Sequence, residues 1–337
     1  MSTPNEDAGL ALLAQVREIL ELEPARVLDE ERGFRGWPHA HPMRFHARPL
    51  RPDGTTVVAV ETLLLEGVAG RGPEFARIAH RNARDPGLSS LRWDSTTGEL
   101  SLRASVMARG GDAMMAARRL SHAALLQAGE ALRAVDALAV EFPEARIVSP
   151  PPPVADLAPV EQVEAWQAYA ERGPELAPEL AGLIAAMPTL NPAPWLRVTS
   201  AAHGFDAEIA CTPAHTQKGP GDGVALLRMS ATQAHPRLGP GLVVVLVPPP
   251  SAEPVAERAA ATSVLLNEAE AREWTGADAL GGWCVHPSAG LSHAMFMPAL
   301  AVDEDTPELL AWQAGTRARW ATQFLARIAE MREKGGA

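Results

Sequence analysis

Three of the ten histidines, His39, His41 and His46, fall within eight positions in the stretch Gly36-Trp-Pro-His-Ala-His-Pro-Met-Arg-Phe-His46. Convergent imidazoles are the ordinary ligands of zinc, which needs nitrogens about 2.0–2.1 Å away, usually drawn from more than one segment. Strand periodicity divides this set. Side chains alternate faces along a strand, so His39, His41, Met43 and Phe45 share one face and Arg44, His46 and Arg48 the other. Pro42, with no N–H to give a ladder, marks the strand entry. The first face belongs to a core. The second is a cationic stripe, whose plain reading is a solvated sheet surface. Its functional reading is a recognition surface for an acidic peptide or for the acidic second half of this same chain.

Cys284, His286 and His293 form a second constellation. A four-residue turn at 287–290 sets His286 opposite Leu291 and Cys284 opposite His293, with Met295 and Met297 continuing that face outward. A thiolate and two imidazoles suit zinc or a softer metal. A methionine-bearing outer face suits an adaptable protein contact, and this is the preferred reading. A one-residue slip in register undoes the cluster. No G-x-S-x-G elbow is present, and "KGPGDG" (Lys218 to Gly223) lacks the order of a phosphate-binding loop. The residues therefore assign no catalytic group, no cofactor and no metal. Arg44, His46, Arg48, Met295 and Met297 are the expected partner contacts. The alternative is a metal-binding protein or hydrolase using Cys284, His286 and His293, or His39, His41 and His46.

These residues need elements to hold them. The chain has 337 residues, 47% of them apolar, enough for two domains with cores of their own. "SPPPPVAD" (Ser149 to Asp156) cannot continue a helix or a central strand, so 1–148 reads as one domain, 149–159 as a proline-rich linker and 160–337 as a second, expanded domain. Net charge is −11, of which −2 lies in 1–150 and −9 beyond. That balance argues against nucleic acid as a partner, which calls for a basic footprint. No stretch has the ~20 uncharged apolar residues of a membrane span, and the start, "MSTPNEDAG", is acidic where a secretory signal is basic. With two cysteines and no CxxC spacing, a cytoplasmic, bacterial protein is expected.

Helical spacing marks 8–22, 72–82 and 112–138, and alternation marks strands at 43–50 and 55–65 and a hairpin from "LSSLRWD" to "ELSLRASVM". The second half repeats the plan. A helix over 160–187, breaking at Gly173-Pro174, precedes strands at 195–200, 204–211, 223–231 and 242–248. A helix at 253–272, a hairpin through "GGWCVHPSAGLSHAMFM" and a helix at 305–332 follow, the last buried along Leu309, Trp312, Thr316, Trp320, Phe324 and Ile328. An asparagine in the third-from-last element (Asn82, Asn267), a hairpin tryptophan (Trp93, Trp283) and a turn glycine (Gly98, Gly290) recur in order. This is an internal duplication.

The segment with a helix ending near Asn82, "LRWD" before a turn, "GELSLRA" after it and a long closing helix resembles the YbjN family of bacterial proteins. That family is similar in fold to the class I type III secretion chaperones, small homodimers that wrap an unfolded segment of an effector. The resemblance implies an α+β fold of two tandem α-β-β-β-α-β-β-α sandwiches forming an intramolecular pseudo-dimer, compatible with a monomer and leaving the oligomeric state open. It implies a non-catalytic, chaperone-like module binding a peptide or partner protein through exposed sheet faces. The second copy departs in its longer strand region and in "WCVHPSAGLSH", where the first has "RWDSTTGEL".

Overall fold

In the computed structural model the described residues are all except 1–6, 38–40, 50–53, 109–112, 149–162, 188–194, 201–203, 212–222, 251–255, 274–275 and 336–337. The proline-rich linker at 149–159, His39 and most of "KGPGDG" lie outside them. The chain is mixed α and β, with six α-helices and two seven-stranded antiparallel sheets among the described residues. It divides into two compact units. The first comprises Met1–Glu74, Gly87–Gln167 and Asp278–Gly281; the second comprises Phe75–Pro86, Ala168–Ala277 and Gly282–Ala337.

In the first unit, α1 (Ala8–Ile19) starts at Asp7, whose carboxylate accepts the Gly9 N–H at 3.0 Å. A Cβ on Gly9 would stand 2.7 Å from Thr56 Cγ2 and 2.8 Å from Ala47 Cβ, so glycine lets the helix touch the sheet. Strands β1 (Val27–Glu30), β2 (Gly33–Gly36), β3 (Met43–Ala47) and β4 (Thr56–Glu66) form a meander. Helix α2 (Gly72–Arg84) follows, its residues from Phe75 on belonging to the second unit, and the hairpin β5 (Ser90–Trp93) and β6 (Leu100–Ala108) sets β6 against β4 with β5 at the edge. Helix α3 (Ala113–Glu141) packs on β4, β6 and α1, and β7 (Arg146–Ile147) pairs with β4. Phe34, Met43, Phe45, Val58, Val60, Leu102, Ala104 and Val106 fill the buried face. Phe34 and Phe45, directly paired across β2 and β3, stack with centroids 4.6 Å apart.

The second unit follows α4 (Val163–Ala186) with the meander β8 (Leu196–Ser200), β9 (Phe205–Ala210), β10 (Val224–Ser230) and β12 (Gly239–Val247). The two-residue β11 (Ala234–His235) pairs with β12. Then come α5 (Ala256–Arg272), the hairpin β13 (Gly282–His286) and β14 (Gly290–Pro298), and α6 (Thr306–Gly335). The order β8-β9-β10-β12-β14-β13 matches β1-β2-β3-β4-β6-β5 strand for strand. The shared plan has four strands before the crossover helix. The resemblance implied three, and alternation marked four in the second half but only β3 and β4 in the first, because β1 and β2 are four-residue strands, only partly buried, and β2 begins and ends in glycine.

Two helical expectations differ. Helix α4 runs through Gly173-Pro174 with Pro174 and Pro178 inside it. Tyr169, Leu180 and Ile184 are buried along it, and this packing outweighs the cost of a proline interior. In α6 the buried stripe is Leu310, Ala314, Arg317, Ala318, Ala321 and Leu325, while Trp312 is 38% exposed. Alanines allow close approach. Buried Arg317 gives its Nε hydrogen to Glu270 on α5 at 2.7 Å, and Trp320 reaches Glu273 at the flank.

Each unit includes a short segment from the other half of the chain, and each segment brings an aspartate. In the first unit Ser105 and Ala279 exchange backbone hydrogen bonds of 3.1 and 2.8 Å. Buried Asp278 accepts the Met107 N–H at 2.8 Å and the Arg119 Nε hydrogen at 3.0 Å. In the second unit Asp85 accepts from His235 Nε2 at 3.0 Å and from the Arg237 guanidinium. Burial pushes the Asp85 carboxyl up, but these two donors outweigh it and hold it at about 2.

Candidate partner-binding face

Strand β3 reads Met-Arg-Phe-His-Ala, and its burial alternates as its sequence does. Met43, Phe45 and Ala47 are in the core, whereas Arg44 is exposed and His46 and Arg48 are half-buried on the outer face. His41 is buried before the strand, its Nδ1 3.1 Å from the Val148 carbonyl, on the opposite parity from His46. His41 and His46 therefore do not converge.

Pairing brings further charges to the outer face. Arg44 sits between Arg35 on β2 and Glu61 on β4, and Glu61 in turn pairs with Arg103 on β6. Glu30 accepts from Arg44 Nε at 2.7 Å and from Arg35 at 3.0 Å, so one carboxylate serves two guanidinium groups. Glu61 accepts the Ser101 hydroxyl at 2.7 Å and lies 3.8 Å from the Arg103 guanidinium. Arg35 and Arg44 thus share Glu30, while Arg103 lies beside Glu61. Arg48 is lowered from its usual value by burial and by Arg103. His46 feels the same surplus. Its pKa is lowered to about 4, first by burial and then by Arg103, with Arg44 and Arg48 adding and Glu61 opposing. A neutral imidazole among guanidinium groups is a hydrogen-bond donor site without added charge. Arg35 and Arg103 escaped the sequence reading. Parity puts each on the outer face of its own strand, but only the strand order sets them beside Arg44.

The second constellation comes apart. His286 pairs with Gly290, Cys284 with Ser292 and Trp283 with His293, around a three-residue turn. The turn is shorter than expected because Gly290, at φ 68°, closes it and His286 Nδ1 accepts the Ser288 N–H at 3.3 Å. His293 therefore shares a face with Trp283, ring centroids 5.5 Å apart, while Cys284 and His286 occupy the other. The shift also overturns Met295 and Met297 as contacts. Both are buried, opposite Val244 and Leu242, in the face filled by Phe205, Leu227, Met229 and Leu246. Burial pushes the Cys284 thiol up to about 12, far from a thiolate. Among the described residues no three His, Cys, Asp or Glu side chains are grouped to hold a metal.

The outer face of the second sheet has another character. A groove of about 480 Å³ runs over Leu226, Val243, Val245 and Val247, rimmed by Asp206, Arg228 and His286. Arg228 and Asp206 are joined by two hydrogen bonds of 2.8 and 2.7 Å. Leu226 is 53% exposed. The strands expected at 223–231 and 242–248 contain this face. Among the described residues no helix is long and apolar enough to cross a membrane. No known protein family, curated protein or solved structure matches this chain, so its site rests on its own geometry.

Proposed function

We propose that this protein is a non-catalytic, chaperone-like interaction module that captures an acidic peptide or partner protein on the outer face of its first sheet. One observation carries the reading. On a chain of net charge −11, Arg44, Arg48 and Arg103 act on His46 and Arg35 stands opposite Arg44, with Glu30 bonded to Arg35 and Arg44 and Glu61 beside Arg103. Such a local reversal of sign steers and registers an oppositely charged partner. The tandem part of the reading, a pseudo-dimer of YbjN-like or type III secretion chaperone-like copies within one chain, is supported by the matching strand orders. Two free cysteines accord with a reducing, cytoplasmic setting.

The test compares the full chain with its Arg44→Ala/Arg48→Ala variant as bait in lysate of the native host. A captured protein is then purified and titrated against both. Affinity is expected to fall about tenfold or more and to weaken with salt, at unchanged melting temperature. An unchanged affinity overturns the assignment of this face.

A further inference from the structure

The cationic face also carries a spacing, which rests on the reading above and narrows its partner. Arg44, His46 and Arg48 stand at alternate positions on the outer side of β3 and its continuation, where Arg48 N–H still bonds the Val57 carbonyl at 2.9 Å. Alternate residues of an antiparallel strand are about 6.8 Å apart. The three groups therefore form a row of donors with the same repeat as alternate side chains of any extended peptide.

The middle group differs from its neighbours. His46 Nδ1 is buried with no hydrogen-bond partner. It lies in the field of Arg44, Arg48 and Arg103, where a bare lone pair is tolerated and an N–H is not. The ring proton therefore sits on Nε2, and His46 is a neutral donor between two guanidinium groups. Its flanking residues on β2 and β4 are Gly33 and Ala59, whose side chains offer no competing acceptor. Arg44 is more than half exposed, with a side-chain exposure of 55%.

We infer that the partner segment is an extended polypeptide of the pattern acid-x-acceptor-x-acid, lying along β3 with its alternate side chains on Arg44, His46 and Arg48. Aspartate or glutamate fits the outer two positions. The central position takes any acceptor, glutamine or asparagine included, because His46 brings a hydrogen bond and no charge. A helical segment repeats on one face at about 4.5–6 Å, short of the row's roughly 6.8 Å, and matches it less well.

Two synthetic heptapeptides of identical composition test this, one alternating glutamate and threonine, the other with its four glutamates contiguous. Binding to the full chain is read by fluorescence anisotropy and by the His46 imidazole resonances. The alternating peptide is expected to bind about tenfold tighter and to move those resonances. Within it, glutamine at the position facing His46 keeps the affinity, and lysine there removes it. Arg44→Ala/Arg48→Ala erases the difference between isomers. Equal binding of the two isomers overturns the spacing and leaves the cationic face standing. If neither isomer moves His46 while a captured partner still depends on Arg44 and Arg48, this inference falls alone. His46→Phe, which keeps a ring in place, should weaken only the alternating peptide; no change overturns the central contact.

Discussion

The two sheets share one strand order and show opposite outer faces. Where β3 and β4 present Arg44, His46 and Glu61, their counterparts β10 and β12 present Leu226, Arg228, Val243 and Val245. The aspartates drawn from the other half differ as well. Asp278 is buried on a backbone N–H and an arginine, whereas Asp85 is about a third exposed between His235 and Arg237. One topology decides which residues point outward and leaves their chemistry free. Two sheets of one strand order thus carry outer faces of different chemistry.

The comparison breaks first on stability. Asp278→Ala strands Arg119, whose side chain is 12% exposed, beside an unpaired Met107 N–H, at a cost of about 3–5 kcal/mol. Asp85→Ala should cost less, about 1–3 kcal/mol, since water reaches Asp85 itself and Arg237. Urea denaturation of both variants checks the order, and a larger loss at Asp85 reverses it. Acid sharpens the same contrast. The Asp85 carboxyl, held at about 2, contributes stability that is present above the usual carboxylate range and lost as pH falls through about 2. That acid loss should vanish in Asp85→Asn.

Next in size is Met295→Ala, expected to cost about 2–5 kcal/mol as a core truncation and to leave acidic-peptide affinity unchanged. A stable variant with impaired binding would return Met295 to the surface. A smaller effect belongs to His46. Its folded pKa is depressed, so the unfolded chain takes up the proton first and stability falls as pH drops from about 6.5 towards 4. Arg103 on β6, Glu61 on β4, and Arg44 and Arg48 beside it set that field. In His46→Asn the decline in melting temperature over this window should shrink; an identical decline contradicts the assignment. Leu226→Asp is expected to do least. It should change stability by no more than about 0.5 kcal/mol, as exposed sites do, and leave peptide affinity intact. A loss of affinity would move the binding face to the second sheet.

Much of this was legible in the residues. The alternation of Met43 to Arg48 gave the correct faces, and the long helices lie close to where periodicity puts them. The misreadings share a cause. In α6 the bulky residues Trp312, Trp320 and Phe324 suggested the buried side, yet close packing selected the alanines. In the β13–β14 hairpin the turn length was misjudged by one residue, and the two-residue period carried His293, Met295 and Met297 to the opposite face.

The sequence by itself determined the local periods: which residues are helical, which strands alternate, and which side of β3 is cationic. Tertiary structure alone decided the rest. Only strand order places Arg35 and Arg103 beside Arg44 and His46, and only the hairpin register separates Cys284 from His293. The reason is physical. Local periodicity comes from backbone geometry within one segment, whereas neighbours across a sheet come from pairing between segments far apart in the chain.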